Sequence, residues 1–280
     1  MRKIISTLIL VAAVFSTAAF SQNASYKAIK VADGVYSFGG GPWSYYSMFV
    51  VADDGVFVAD PVNADLAAAM MREIKKITNK PIRYMVYSHN HWDHVSGGKI
   101  FKDAGAVVIG HAENKKNLKP NPQVVVPDLT WDGNRYDVVI GNKTIELHYY
   151  GENHGSGMTV MLLPKEKVMF TADLVVPKRL GFMFLPDFSV SGWIRTLKEM
   201  EKLDFTVALF AHDHPKGTRQ DLILQREYLE DLTKAVQQAM QSGDMMLQSL
   251  SLPKYKDWAH YNDWLGLNGA AVMLEMMMGF

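Results

Sequence analysis

The sequence predicts an α+β protein built as one large domain, with short strands and amphipathic helices interleaved along most of the chain. Three observations lead to this prediction. The chain has 280 residues, of which 48% are hydrophobic, so it can bury a sizeable core. Short apolar runs bounded by turn residues predict strands, and longer runs with helical periodicity predict helices. Several predicted strands end in histidine-bearing loops, in two groups that are consistent with two half-sandwiches, although no sequence repeat is detectable.

The first 21 residues predict an export signal. Arg2 and Lys3 precede an apolar run over residues 4–15, and small residues follow at 16–19. This order is typical of a secretory signal peptide, and the apolar run is too short to cross a membrane comfortably. We predict cleavage after Ser21, with an uncleaved N-terminal anchor as the alternative. The mature protein is then a single domain of residues 22–280, periplasmic or secreted, without stable membrane insertion.

Strands of the first group are predicted at residues 35–38, 47–51 and 56–58. The glycine-rich segment 39–46 carries three aromatic residues, including Trp43. Its composition fits a flap over a substrate and a tight turn with edge aromatics equally well. A helix with one apolar face is predicted at residues 64–78, and a buried strand follows at residues 82–87.

Strands of the later part are predicted at residues 107–110, 136–140, 144–150, 158–163, 168–171 and 205–211. Residues 112–133 are polar and punctuated by proline, which predicts a long surface excursion. Helices are predicted at residues 191–203, with Ser191 as the N-cap, and at residues 219–241. Residues 243–280 form a C-terminal extension, and we expect its methionine-rich tail to fill the core.

Residues 89–94 read His-Asn-His-Trp-Asp-His and directly follow the strand predicted at residues 82–87. Imidazole and carboxylate groups this close together are costly to desolvate unless a cation neutralises them. They are also the ligand types that suit a borderline metal such as zinc. In an extended or turning backbone His89 and His91 point to one side, while Asp93 and His94 turn towards a second position. The alternative interpretation is a polar surface loop.

The spacing His-x-His-x-Asp-His resembles the signature of the metallo-β-lactamase-fold hydrolases. This resemblance implies a four-layer αββα sandwich, in which two sheets face each other, helices cover the outside and a metal site lies at one edge. The family's pattern matches His89, His91 and His154 as ligands of a first metal, Asp93, His94 and His212 as ligands of a second, and Asp173 as a bridging carboxylate. His214 is the alternative to His212, which lies nearer its strand end. For the remaining histidines, His111, His148 and His260, we predict structural roles.

The resemblance implies a metallo-hydrolase that binds two divalent metal ions. The chain has no cysteine, so every ligand must be His, Asp, Glu or water. Zinc is the expected ion, with iron or manganese as alternatives. A metal-bound hydroxide is expected to cleave an ester, lactone, thioester or similar bond. Asp93 is the predicted catalytic residue, which orients the nucleophile and carries a proton to the leaving group.

Asp173 bears on the choice of substrate. The β-lactam-cleaving members of the family typically carry Cys or Ser at this position, whereas a bridging Asp is typical of the thioesterase, lactonase and phosphodiesterase relatives. Asp173 therefore favours these relatives over a β-lactamase. β-Lactamase activity stays an alternative, together with an iron-dependent oxidoreductase of the same fold and a non-catalytic metal-binding module.

The charge balance bears on partners. The 29 basic and 29 acidic residues cancel, and no block of like charge occurs, so we predict no nucleic-acid partner. A small molecule is the predicted substrate. Trp43, Trp92 and residues 182–184 are expected to form an apolar pocket wall, and Lys178 or Arg179 is available for an acidic group. The sequence predicts no particular oligomeric state.

Overall fold

A computed structural model describes residues 25–279, and in this part of the chain two β-sheets pack against each other. The predicted signal peptide, residues 1–21, lies outside the described residues. The first sheet has the strands β1 (Tyr26–Ala32), β2 (Val35–Gly40), β3 (Tyr45–Val51), β4 (Val56–Val58), β5 (Ile82–Val86), β6 (Val107–His111) and β7 (Leu129–Trp131), in this spatial order. Neighbours are antiparallel from β1 to β4 and parallel from β4 to β7.

The second sheet has five strands. These are β8 (Arg135–Ile140), β9 (Lys143–Tyr149), β10 (Thr159–Leu163), β11 (Val168–Phe170) and β12 (Val207–Leu209), again adjacent in sequence order. Strands β8 to β11 are antiparallel, whereas β11 and β12 are parallel. Because a parallel pair needs a crossover connection, a long segment separates β11 from β12, and this segment contains a helix.

The helices are α1 (Ala64–Ile77), α2 (Trp92–Val95), α3 (Lys99–Asp103), α4 (Ala112–Asn117), α5 (Val190–Met200), α6 (Arg219–Gln241) and α7 (Tyr261–Met278). Their ends follow local rules. The side chain of Asn63 caps α1 by accepting a hydrogen bond from the amide of Leu66, and Thr218 and Asp221 form a capping box at the start of α6. No helix of the described residues combines the length and the apolar character needed to cross a membrane.

The strand pattern divides the core into two layers. In β3, Met48 and Val50 belong to the apolar cluster shared by both sheets and by α5, α6 and α7. Phe49, between them, belongs to the cluster that the first sheet forms with α1 and α3. This alternation follows the two-residue period of a strand, so each face of the first sheet is covered. The arrangement is the predicted αββα order of layers.

The glycine-rich segment is a tight hairpin turn between β2 and β3, and its aromatic residues Trp43 and Tyr45 also line a cavity, so it has features of both interpretations. Gly40 pairs with Tyr45, and the amide of Ser44 donates to the carbonyl oxygen of Gly41 at 3.2 Å. Gly39 is required here, because a Cβ atom at this position would lie 2.1 Å from the carbonyl oxygen of Tyr45. Trp43, at the tip of the turn, is 76% exposed.

Two local predictions are wrong. Residues 112–133 are not an unbroken excursion, because they contain α4 and β7. Strand β7 depends on a tertiary contact, since the amide of Val108 in β6 donates to Asp128, which directly precedes β7. Helix α4 begins at a local cap, in which the ring of His111 accepts from the amide of Glu113. The N-cap of α5 is Ser189 and not Ser191, since Ser189 Oγ accepts from the amide of Gly192 at 3.1 Å.

The methionine-rich tail fills the core only in part, because Met273 packs against the apolar cluster shared by both sheets and the three methionines after it are exposed. Met276, Met277 and Met278 are 41%, 58% and 60% exposed, whereas Val272 on the same helix is 2% exposed. Helix α7 is apolar on most of its circumference, and its covered side packs against α6 and the loop before α5. The side of α7 that meets neither neighbour stays open to solvent, whatever residues it carries.

The C-terminal extension is tied to the rest of the fold by a buried amide. Asn268 is fully buried in α7, where its Oδ1 accepts from the Tyr228 hydroxyl at 2.7 Å. Its Nδ2 donates to the carbonyl oxygen of Gly181 at 2.9 Å and to that of Met183. One side chain thus joins α7, α6 and the loop before α5.

We predict that Asn268→Leu lowers the free energy of unfolding by about 2–4 kcal/mol, because two carbonyl oxygens, one of them buried, and the buried Tyr228 hydroxyl lose their partner. Urea unfolding followed by circular dichroism measures the change. Asn262→Leu is the matched control, since Asn262 is exposed in the first turn of the same helix. Equal stability of the Asn268 variant and the control would contradict the structural role of this amide.

Candidate metal centre

The ends of four strands deliver the predicted ligands to one edge of the sandwich. The loop after β5 carries His89 and His91, α2 carries Asp93 and His94, the loop between β9 and β10 carries His154, a single 3₁₀ turn after β11 carries Asp173, and the residue three places after β12 is His212. All seven predicted residues therefore meet. His214 is exposed and does not join them.

Backbone hydrogen bonds join the two sheets at this edge. The amide of Thr159, at the start of β10, donates to the carbonyl oxygen of Ser88 at 2.7 Å. The amide of Tyr46 in β3 donates to the carbonyl oxygen of Ala211 at 2.8 Å. The loops on either side of the site are thus held by backbone contacts between the sheets, which makes their side chains a preorganised cluster.

Gly155 makes room for the histidine rings. Its φ is +64°, and a Cβ atom there would lie 3.0 Å from His91 Nε2 and 3.1 Å from Cδ2 of His89. An L-residue would be strained in this backbone conformation and would press on both rings. A glycine is therefore required at position 155, because any side chain would crowd the two histidine rings.

The seven residues form two ligand sets. His89, His91, His154 and Asp173 offer ligand atoms that all lie within 4.8 Å of one another, and so do Asp93, His94, Asp173 and His212. Asp173 belongs to both sets. The side chains of His94 and Asp173 are 0% and 9% exposed, while that of Asp93 is 41% exposed. The site therefore has a buried floor and one carboxylate open to solvent.

Asp173 is the centre of the arrangement. Its Oδ1 lies 3.1 Å from Nε2 of His94 and 3.1 Å from Nε2 of His212, and its Oδ2 lies 3.3 Å from Nε2 of His154. One carboxylate thus faces imidazoles of both sets, which is the geometry expected of a bridging ligand.

Hydrogen bonds on the outer side define the tautomers of the rings. Ser88 Oγ donates to the carboxylate of Asp60 at 2.6 Å, so His89 Nδ1, 2.9 Å from the same oxygen, must be the donor to Ser88. Nδ1 of His94 donates to Asp60 at 2.9 Å. Each ring therefore keeps the lone pair of Nε2 for the cluster.

His91 has the opposite tautomer. Its Nε2 lies 2.8 Å from Oδ2 of Asp187 and donates to that carboxylate, which leaves the lone pair on Nδ1. This Nδ1 lies 2.9 Å from Nε2 of His89, which also carries a lone pair. Two lone pairs at this distance repel each other, and a shared cation removes the conflict.

Buried polar atoms without a hydrogen-bond partner are a second reason why these side chains fit divalent metal ions. Nε2 of His94, Nε2 of His154 and Oδ1 of Asp173 are buried, and none makes a hydrogen bond of acceptable geometry with any described residue. Buried polar atoms are rarely left unpaired in proteins. Imidazole nitrogens and carboxylate oxygens without a thiolate suit zinc, and they also suit iron or manganese.

Charge and burial act in opposite directions on the two central groups. Burial disfavours the ionised form of Asp173, but the neighbouring His212 and His94 hold its pKa well below the usual value. Burial disfavours the charged form of His94, but the carboxylates of Asp173 and Asp93 hold its pKa well above the usual value. Without a cation, His94 and Asp173 thus form a buried ion pair.

Two histidines of the first ligand set, His89 and His154, are held neutral. Burial, followed by repulsion from His94 and His91, holds the pKa of His89 well below its usual value. Burial also lowers the pKa of His154 to about 4. Because an imidazole must be neutral to bind a metal ion, both rings are ready to act as ligands at neutral pH.

Two carboxylates of the site were missed by the sequence analysis. Asp60 is fully buried between Ser88 and His94, and Asp187 reaches His91 from the loop before α5. The sequence contained one usable signal, since Asp60 follows an apolar strand directly and a carboxylate there needs a partner. Asp187 lies 96 residues from His91, in an irregular loop, and no spacing rule connects them.

A cavity of about 940 Å³ opens over the two ligand sets. Trp43, Trp92, Phe182 and Arg179 line it, in agreement with the predicted wall. Lys178, Met183 and Phe184 do not line it. Arg179 is paired with Asp213, 3.1 Å from its Nη1, so this cation is partly neutralised within the chain.

The metallo-beta-lactamase superfamily model matches residues 40–212. This match spans more than half of the chain and includes both ligand sets. The protein therefore belongs to the metallo-beta-lactamase superfamily, and the resemblance detected in the histidine motif is confirmed.

Two curated relatives and one solved structure illustrate the similarity. The chain is 25% identical over 172 residues to 2,4-dinitroanisole O-demethylase subunit alpha of Nocardioides sp. (strain JS1661). This alignment covers 60% of this chain and 52%, or about half, of the relative. The chain is also 25% identical over 184 residues to metallo-beta-lactamase IND-1 of Chryseobacterium indologenes, in an alignment that covers 64% of this chain and 76% of the relative. The structure of a metallo-beta-lactamase from Pontibacter korlensis aligns with a TM-score of 0.65 at 19% identity and covers 74% of this chain and 100% of that chain. This likeness confirms the predicted fold class.

We predict that Asp60→Asn weakens binding at the second ligand set by about 10-fold to 100-fold, because His94 loses the acceptor that defines its tautomer. Zinc per chain, measured by atomic emission after dialysis against graded zinc concentrations, should fall towards one ion in the variant under conditions where the wild type holds two. Asp257→Asn, at an exposed position, is the control. Two ions bound with unchanged affinity would show that Asp60 does not position His94.

Proposed function

We propose that the protein is an exported, metal-dependent hydrolase that cleaves an ester, lactone, thioester or similar bond in a small molecule. One observation carries the proposal: two ligand sets share Asp173 beneath a cavity of about 940 Å³. Membership of the superfamily supports a metal-dependent hydrolase. Export to the periplasm or the medium rests on residues 1–21 alone.

Two divalent cations, when bound, supply positive charge that polarises a substrate carbonyl or phosphoryl group and makes water a stronger acid. The protein contributes a base beside this charge. Asp93 Oδ2 lies 3.8 Å from His94 Nε2 and 3.7 Å from His212 Nε2, and Asp93 lines the cavity. From this position the Asp93 carboxylate can accept the proton of an attacking water and pass it to the leaving group.

The bridging carboxylate supports the choice of bond. Asp173 occupies the position that Cys or Ser takes in the β-lactam-cleaving members, and it lies 3.1–3.3 Å from imidazoles of both sets. We therefore place esters, lactones and thioesters first. β-Lactam hydrolysis is the second candidate, because a curated relative and a solved neighbour are both named metallo-beta-lactamases.

The cavity wall supports an apolar substrate. Trp43 and Trp92 are 76% and 50% exposed at its mouth, where large aromatic side chains are costly to leave in water without a ligand to cover them. The relative named 2,4-dinitroanisole O-demethylase has an aromatic compound as its substrate. We propose that the acyl or leaving group of the substrate is likewise apolar.

The zinc-loaded mature protein is expected to hydrolyse one bond class in a panel of phenyl acetate, dihydrocoumarin, a benzoyl thioester, a β-lactam and a phosphodiester. The rate should fall at least about 100-fold with EDTA and recover with zinc, because the charge that activates the carbonyl is removed and restored. Ester, lactone or thioester cleavage would support the first candidate, and β-lactam cleavage would support the second. A metal-loaded protein inactive on every compound would contradict the proposed hydrolase.

Asp93→Ala is expected to keep the fold and to lose turnover about 100-fold or more on the substrate found, because the base beside the reacting centre is missing. Circular dichroism and metal content are measured on the same sample, which separates loss of the base from loss of a metal ion. Asp132→Ala, at an exposed position, is the control. Near-normal turnover of Asp93→Ala would exclude the role assigned to this carboxylate.

A further inference from the structure

Helix α7 carries two charged residues, and they differ in their surroundings. Asp263, in the first turn, is exposed, whereas Glu275, near the C-terminal end, is half-buried against the start of α5. The other residues from 264 to 278 are uncharged. A carboxylate that leaves water on such an apolar helix loses solvation, so strong contacts must compensate for the loss.

Glu275 binds the N-terminus of α5. Its Oε2 accepts from the amide of Val190 at 2.6 Å, and its Oε1 accepts from the amide of Ser191 at 3.1 Å and from the Ser191 hydroxyl at 2.5 Å. The N-cap residue Ser189 accepts from the next amide, that of Gly192, at 3.1 Å. The first amides of a helix have no partner within the helix and carry its partial positive charge. A carboxylate from α7 therefore completes the cap of α5 and fixes the start of this helix.

The residues just before this cap contact two ligands of the first set. Oδ2 of Asp187 lies 2.8 Å from Nε2 of His91 and accepts a hydrogen bond from it. The ring of Phe188 stacks on that of His154, with centroids 3.9 Å apart and an angle of 28° between the planes. The backbones of Phe188 and His154 also form a β-bridge. One imidazole is thus oriented by a hydrogen bond and the other by stacking.

The start of α5 is also joined to the loop that carries His154. The amide of Ser189 donates to the carbonyl oxygen of Asn153 at 2.7 Å. The side chain of Asn153 donates to the hydroxyl of Thr196 in α5 at 3.0 Å. The loop and the first turns of α5 therefore pack as one unit, and Glu275 attaches this unit to α7.

The second ligand set is supported by other parts of the chain. Asp60 accepts from Nδ1 of His94 at 2.9 Å, and the backbone of His212 pairs with that of Tyr45 in β3. Glu275, in contrast, lies beyond the segment that matches the family, which ends at residue 212. A change at Glu275 is therefore expected to reach the first ligand set and not the second.

From these contacts we infer that Glu275 is a positioning residue for the first ligand set. By fixing the start of α5 it keeps Asp187 on His91 and Phe188 on His154, and so raises the affinity of these ligands for a metal ion. This role concerns metal binding and does not depend on which bond the protein cleaves.

Zinc titrations of the mature protein, in competition with a chromophoric chelator, test this role in Glu275→Gln. The substitution keeps the size of the side chain but removes the charge, and the new amide group can accept on one side only. We expect the affinity for one of the two ions to fall about threefold to tenfold, while that for the other stays within about twofold. Asp263→Asn, which removes the exposed charge of the same helix, should leave both affinities unchanged.

Two further backgrounds identify the affected site. In His91→Ala, which lacks a ligand of the first set, Glu275→Gln should not change the affinity for the remaining ion. In Asp60→Asn, whose second set is weakened, Glu275→Gln should lower the affinity for the ion that stays bound. Asn268→Leu breaks a different contact of α7, so it should lower the stability of the fold without a site-selective loss of zinc. This comparison separates positioning from a general loss of stability.

The outcomes also separate this role from the proposed hydrolase. Unchanged affinity for both ions in Glu275→Gln would overturn the inference. An equal loss at both sites, or a loss that persists in His91→Ala, would overturn it as well, because Glu275 would then act through the stability of the whole fold. A selective loss at the first site, in a protein that hydrolyses no compound of the panel, would support the role of Glu275 and exclude the proposed reaction.

Discussion

The structure depends on one buried carboxylate, Asp173, placed within 3.3 Å of three imidazoles. A carboxylate this deeply buried is tolerable only with positive charge around it, whether from a protonated His94 or from metal ions. The imidazoles come from separate strand ends, so the chain has to bring those ends together. Two sheets packed face to face bring these strand ends together at one edge. The metal centre therefore depends on the αββα architecture.

Rigidity at this edge comes from contacts outside the ligand sets. Backbone hydrogen bonds from Thr159 to Ser88 and from Tyr46 to Ala211 connect the sheets beside the site. Asp60 and Asp187 then orient individual rings, each by accepting a hydrogen bond from the nitrogen that faces away from the cluster. A ligand cluster held in this way loses little conformational entropy when it binds a cation, which favours affinity.

Different parts of the sequence form the metal centre and the cavity wall. Residues 40–212 carry the features shared with the superfamily, including both ligand sets. The C-terminal extension lines part of the cavity with Trp264, and its residues Asn268 and Glu275 bind the segment before α5 and the start of α5. Helix α7 contributes no ligand to the metal centre, so it acts on that centre only through the residues that it positions.

The sequence by itself determined the features that depend on local pattern. Alternating and helical periodicity placed most strands and helices, and helix α6 has the predicted limits. The spacing of His89, His91, Asp93 and His94 identified the site, because ligand types and spacing are local properties. Tertiary structure alone decided what depends on contacts between distant residues: the pairing of Asp187 with His91, the exposure of the methionine-rich tail, and the contact of Glu275 with the start of α5. No periodicity records which side of an apolar helix finds a partner, or which loop lies opposite a histidine, because those outcomes are set by how the finished layers pack.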